Sequence, residues 1–95
     1  MAGIIDALGQ RAFAIKDRDG KEHFVPTLTF GDGRDIEKLV QSSLFDMDLT
    51  KFDNQIKLLW VVVRREGLTR AGLRERRADG KWTITEEEVS DLFDL

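Results

Sequence analysis

Thr50-Lys51-Phe52-Asp53-Asn54-Gln55-Ile56-Lys57-Leu58-Leu59-Trp60-Val61-Val62-Val63-Arg64-Arg65-Glu66-Gly67 is the stretch on which the fold turns. Phe52, Ile56, Leu59, Trp60 and Val63 fall on one helical face, and Thr50 followed by Asp53 has the form of a capping box with Asp in place of Glu or Gln. Leu58, Val61 and Val62 make the second half apolar on its other sides, the pattern of a helix packed by neighbours all round. Three consecutive valines also suit a buried strand. The length of the run, Arg64 and Arg65 in the last turn and Gly67 beyond it favour a helix over 51–66, with Trp60 in the core.

Working outward, Thr85 as N-cap, Glu88 three residues on, and Ile84 placed to face Val89 form a capping box with a hydrophobic staple, so a helix is expected over 86–94. Three glutamates in its first turn suit the helix dipole, and Val89, Leu92 and Phe93 give it an apolar stripe. Between these two helices, residues 68–84 show only Leu68 and Leu73 among arginines, with Gly72 interrupting, and read as a basic loop. On the N-terminal side Ile36, Leu39, Val40 and Leu44 predict a helix over 33–45, capped by Asp32 or Thr29, with Gly31-Asp32-Gly33 as a turn before it. Asp46 and Asp48 in the following linker read as turn and cap residues.

Phe13 and Ile15 alternate with small and polar neighbours, Asp17-Arg18-Asp19-Gly20 supplies a turn, and Phe24 alternates with His23 and Val25 before Pro26 ends the run. That is a β-hairpin within the segment 11–30. A two-stranded ribbon is barely stable alone, so Phe13, Ile15 and Phe24 are expected to pack on the helices. The first ten residues, with Ile4, Ile5 and Leu8 between Gly3 and Gly9, read as a loosely ordered arm. The whole is one domain over 1–95, a small α+β fold in which an N-terminal hairpin packs on about three helices. Phe13, Phe24, Leu39, Ile56, Leu59, Trp60 and Val63 form its expected core.

Composition narrows the chemistry. No cysteine is present, which excludes disulfides, thiolate metal sites and thiol nucleophiles, and the single His23 leaves no histidine cluster. If Gly20 is taken as the sixth position of a calcium loop, the first and twelfth fall on Ile15 and Pro26, where carboxylates are required. Gly31-Asp32-Gly33 lacks the spacing and lysine of a phosphate loop. No catalytic residue, metal site or cofactor is expected. The longest apolar run, Leu58 to Val63, is far short of the roughly 20 residues that span a bilayer, and no basic and apolar leader opens the chain. A cytoplasmic protein is expected.

The net charge of −3 hides a segregation. From Arg64 to Lys81 there are seven basic residues (Arg64, Arg65, Arg70, Arg74, Arg76, Arg77, Lys81) against three acidic ones (Glu66, Glu75, Asp79), so this segment carries +4 and the rest −7. Five of those negative charges, Glu86, Glu87, Glu88, Asp91 and Asp94, lie in the last fourteen residues. Such runs suit a solvated surface, and equally a docking face for an oppositely charged partner. Nucleic acid is the weaker alternative, because no aromatic interleaves the arginines before Trp82. Trp82 reads as either a lid on the core or a partner contact, Trp being favoured at binding hot spots.

The order of parts is familiar. Lys21-Glu22-His23-Phe24-Val25-Pro26-Thr27-Leu28-Thr29 running into an amphipathic helix, then Leu58-Leu59-Trp60-Val61-Val62-Val63-Arg64-Arg65-Glu66, then Trp82-Thr83-Ile84-Thr85-Glu86-Glu87-Glu88-Val89, resembles the tail assembly chaperones of long-tailed bacteriophages and prophages. The resemblance spans roughly residues 20 to 95, and Arg70 to Lys81 is longer and more basic than the family pattern. It implies a non-enzymatic protein of the host cytoplasm that binds the tape-measure protein during tail morphogenesis and helps recruit tail-tube subunits. An apolar groove with charged rims is then expected, with Arg70, Arg74 and Arg77 on the basic rim and Trp82, Leu92, Phe93 and Leu95 in the groove. Self-association is left open. The rival readings are a small head-tail or tail-completion ring subunit and a nucleic-acid-binding regulator using residues 64–81.

Overall fold

The hairpin forms as its turn dictates. In the computed structural model, which describes residues 13–25 and 28–93, strands β1 (Phe13–Lys16) and β2 (Glu22–Val25) pair antiparallel with Ile15 opposite His23 and Ala14 opposite Phe24. The Asp17 carboxylate accepts the amides of Asp19 and Lys21, and Gly20 takes φ +83°, a conformation that costs a side-chain-bearing residue more. This register corrects one expectation. Phe24 lies on the opposite face from Ile15 and is 66% exposed, while His23 shares the Ile15 face and is buried. Successive side chains alternate faces, so Ile15 and Phe24 cannot both point inward once Ile15 opposes His23. The expected arm over 1–10, the Phe13 side chain and Leu95 lie outside the described residues.

Four helices follow: α1 (Phe30–Val40), α2 (Phe52–Val63), α3 (Arg70–Asp79) and α4 (Glu86–Leu92). The fold is α+β, the hairpin packing through β2 on α2, which α1 and α4 also contact. α1 starts earlier and ends earlier than its apolar spacing predicts. Thr29 and Asp32 form a full capping box, which makes Gly31-Asp32-Gly33 the first turn of the helix rather than a turn before it. Its end is set by Gln41 in the left-handed conformation (φ 56°), whose N–H bonds back to Glu37. Leu44, read as the last helical apolar position, instead has its amide held by the Glu37 carboxylate at 2.7 Å.

α2 has no side-chain cap. Thr50 is occupied with Asp48, and Asn54 and Gln55 reach back to the carbonyls of Asp48 and Leu49, so the expected Thr50–Asp53 box is replaced by a loop stapled from the helix side. The buried face is also rotated from the expected one. Leu58, Val61, Val62 and Val63 are buried, whereas Ile56, Leu59 and Trp60 are half-buried and Phe52 is exposed. The reason lies in the linker: Met47 and Leu49 fold under α2 and join Ile36, Leu58, Val61 and Val62 in one cluster, with Leu39 packed at its edge.

The segment 68–84, read as a loop, contains α3. Thr69 caps it by accepting the Gly72 amide, and Gly80 at φ +70° ends it. Leu73 is its buried apolar residue. α4 is the helix whose local signal was complete, with Thr85 and Glu88 each satisfying the other's backbone amide and Val89 buried.

Candidate partner-binding site

Two sites share helix α1. The first is a groove of about 600 Å³ between α1 and the linker that follows it, lined chiefly by Leu28, Phe30, Ile36, Leu44, Phe45 and Leu58, with Arg34 and Glu37 as its polar margin. Its aromatic rims are open: Phe30 is 97% and Phe45 87% exposed. Scattered single apolar residues on a surface are ordinary, but two phenyl rings on one apolar groove make a contiguous patch of the kind that marks a docking face. Phe30 is presented by the first position of α1, immediately after the Thr29 cap, and Phe45 by the turn that Ser43 and Asp46 close.

The second site is built on charge. Asp32 is fully buried; its carboxylate takes Thr29 and the guanidinium groups of Arg65 and Arg77, while Asp35 takes those of Arg64 and Arg77. Arg64 is threaded between two indoles, its Cζ 4.7 Å from the Trp60 ring and 4.0 Å from Trp82, and the rings meet edge to face at 5.8 Å. Trp60 Nε1 donates to the Ile84 carbonyl at 2.8 Å, which fixes the segment carrying Trp82 against α2. Burial pushes the Arg64 guanidinium down from its ordinary value, with the Asp35 charge acting against that shift.

Gly31 is part of this arrangement. A Cβ there would stand 2.9 Å from Arg77 Nη1 and 3.2 Å from its Cζ, so the bare backbone is what lets Arg77 lie across the start of α1. A Cβ on Gly33 would meet nothing. Gly31→Ala is therefore expected to stabilise less than Gly33→Ala, because the Arg77 guanidinium must give way to the new methyl while Gly33→Ala gains about 0.5 to 1 kcal/mol of helix propensity unopposed. Urea midpoints of the two variants check this, and an equal rise in both would contradict the role given to Gly31.

His23 is the centre of a second polar cluster. Nδ1 lies 2.7 Å from Glu66 Oε2 and Nε2 2.8 Å from Asp17 Oδ2, so both ring nitrogens face carboxylates and each donates to one when the ring is an imidazolium. Burial lowers its pKa, but the hydrogen bonds and charges of Asp17 and Glu66 outweigh burial and raise it above 6.5. Hydrogen bonding to His23 in turn holds Asp17 below its ordinary 3.8. A ring with both nitrogens committed has no lone pair for a substrate, and its role is to tie β2 to the end of α2.

The expected contact residues are dispersed. Arg77 and Trp82 meet in the second site, Arg77 with its charge already spent on Asp32 and Asp35. Arg70 and Arg74 are exposed on α3 and form no ion pair among the described residues. Leu92 and Phe93 are half-buried at the end of α4, where the Leu92 carbonyl accepts the Arg18 amide and Phe93 packs on His23, so they close the hairpin junction instead of opening a groove. Phe30 and Phe45 were not singled out by sequence; the one available signal was an aromatic beside a cap or turn, off any apolar stripe. Among the described residues no group of three or more His, Asp or Glu could hold a metal ion, and no helix is long and apolar enough to cross a membrane. Comparison with family models, with curated proteins and with solved structures returns no match to this chain.

Proposed function

We propose that this protein is a non-enzymatic binding protein, a tail assembly chaperone that holds an apolar-striped helix of a tape-measure protein in the groove between Phe30 and Phe45. The observation that carries the reading is the nearly complete exposure of these two rings on one apolar groove, greater than that of the other exposed aromatics among the described residues, Phe24 and Phe52. An amphipathic helix of the partner would seat i, i+3 and i+4 side chains in the groove, with Arg34 and Glu37 meeting its polar flank. Recruitment of tail-tube subunits belongs to the same reading and follows from the family resemblance.

The test is co-expression of the tagged protein with the genes that neighbour its own, followed by mass spectrometry of what it retains. Capture of a very long, helix-rich chain is expected, with retention lost in the Phe30→Ala/Phe45→Ala variant. Each aromatic anchor is worth about 2 kcal/mol, so the double change should weaken binding by about 1,000-fold. Both rings are exposed, so the variant's unfolding midpoint should stay within about 0.5 kcal/mol of the parent. Retention of only further copies of this chain would favour a ring subunit, and retention of nucleic acid a regulator.

A further inference from the structure

We infer that the indole-walled pocket beside α1 is a second binding site, and that it takes the carboxylates of an acidic segment of a partner polypeptide. The pocket encloses about 430 Å³ and is lined by Arg34, Lys38, Arg64 and Arg77 together with Asp35; Arg64 and Arg77 are paired with Asp35 and Asp32, so the charge left for a ligand is that of Arg34 and Lys38. Asp35 is already bonded by Arg64 Nη2 and Arg77 Nε. Arg34 and Lys38 are exposed and form no ion pair among the described residues. Four residues apart on α1, they stand as neighbours along one side of the helix at the pocket mouth. Beneath them Arg64 is only 5% exposed, and its Nε is a buried donor with no partner. A guanidinium taken out of water with spare donor capacity leaves a positive field that a bound anion would offset.

The charge complement of this pocket is an anion, and its walls select among anions. Arg64 already covers a face of each indole, the position a nucleic-acid base would need for stacking. Net positive charge attracts phosphate as well as carboxylate, so discrimination against inorganic phosphate falls to the apolar part of the wall. The methylenes of a Glu or Asp side chain suit the apolar margin that Leu39, Trp60 and Trp82 provide. Arg34 lines both this pocket and the apolar groove, so one partner segment can lie in the groove and lay acidic residues across α1. That last step rests on the function proposed above; binding of the carboxylates does not.

Both tryptophans of the chain flank Arg64, so intrinsic fluorescence reports on the pocket directly. The full chain is titrated with a glutamate-rich peptide, the matching glutamine peptide, sodium phosphate and a single-stranded oligonucleotide, at low and at physiological salt. The expected result is a saturable change with the glutamate peptide alone, weakening as salt rises. Arg34→Gln/Lys38→Gln, which alters only exposed side chains, should weaken it at least about tenfold. Phe30→Ala/Phe45→Ala should leave glutamate-peptide affinity unchanged, which separates this site from the groove. Tighter binding of phosphate or oligonucleotide, equal response to the glutamine peptide, or indifference to Arg34→Gln/Lys38→Gln would each overturn the assignment. Self-association abolished by that double variant would also overturn it, by making the occupant the acidic α4 of a second copy.

Discussion

Replacing Asp32 by Ala is expected to remove about 3 to 5 kcal/mol of folding stability, the range for breaking a buried ionic network from one side. A domain of this size has roughly 5 to 15 kcal/mol in total, so the loss is a large share of the whole. Asp32 is fully buried and joins the start of α1 to the end of α2 and to α3. Through Oδ2 it accepts the Thr29 amide at 2.9 Å and the Thr29 hydroxyl at 3.1 Å, and it pairs with Arg65 at the end of α2; through Oδ1 it takes Arg77 Nη2 of α3 at 3.0 Å. Alanine would remove the half of the α1 capping box that holds the Thr29 amide and would take a buried carboxylate from Arg65 and Arg77, Arg77 keeping its bond to Asp35. Asp32→Asn keeps the shape and one acceptor but turns an amide N–H toward a cation, so it should fall between the parent and Asp32→Ala. Urea unfolding followed by circular dichroism measures both. A midpoint for Asp32→Ala equal to that of the parent would remove the network from the account of stability.

That network also explains what the sequence could and could not reveal. α4 was legible because its whole signal is local: Thr85, Glu88 and Val89 sit within five residues and satisfy one another. The hairpin was legible for the same reason, through Asp17 and Gly20. α3 was hidden because little in it is apolar apart from Leu73; it is tethered through Arg77 to carboxylates 42 and 45 residues away, a pairing with no periodicity to detect. The start of α1 was disguised by two glycines, one of which is needed only because Arg77 lies on it. The +4 segment illustrates the same limit: Arg64, Arg65 and Arg77 turn inward onto Asp32 and Asp35, while Arg70 and Arg74 stay outside, and nothing in the local sequence separates the two sets. Exposure of Phe30 and Phe45 was likewise out of reach, since it depends on where the linker carrying Met47 and Leu49 passes under α2.

The stability of this protein is expected to fall as the pH rises above 6.5 through the folded pKa of His23, and the fall is expected to be smaller in His23→Gln. The folded pKa of His23 is raised above 6.5, so its contribution is fully present below 6.5 and is lost as the pH rises through the folded value. The folded pKa of Asp17 is lowered below 3.8, so its contribution is present above 3.8 and is lost as the pH falls through the folded value. Both hold between about pH 4 and 6.5, which places the maximum on the acidic side of neutrality. At pH 6, His23→Gln should cost about 3 kcal/mol, because glutamine cannot supply the charge that Asp17 and Glu66 face. The α-amino group titrates in part of the same window, and the comparison with His23→Gln, which retains that group, separates the two. The affected element is the hairpin. Phe24 is exposed, and β2 is tied to the rest by His23 and by the Phe24 amide on Glu66 at 3.3 Å, with the Arg18 amide on Leu92 at 2.7 Å holding the turn. Urea midpoints at half-unit pH steps test this. A flat profile in the parent, or an equal slope in His23→Gln, would show that the imidazolium between Asp17 and Glu66 contributes nothing to holding the hairpin on α2.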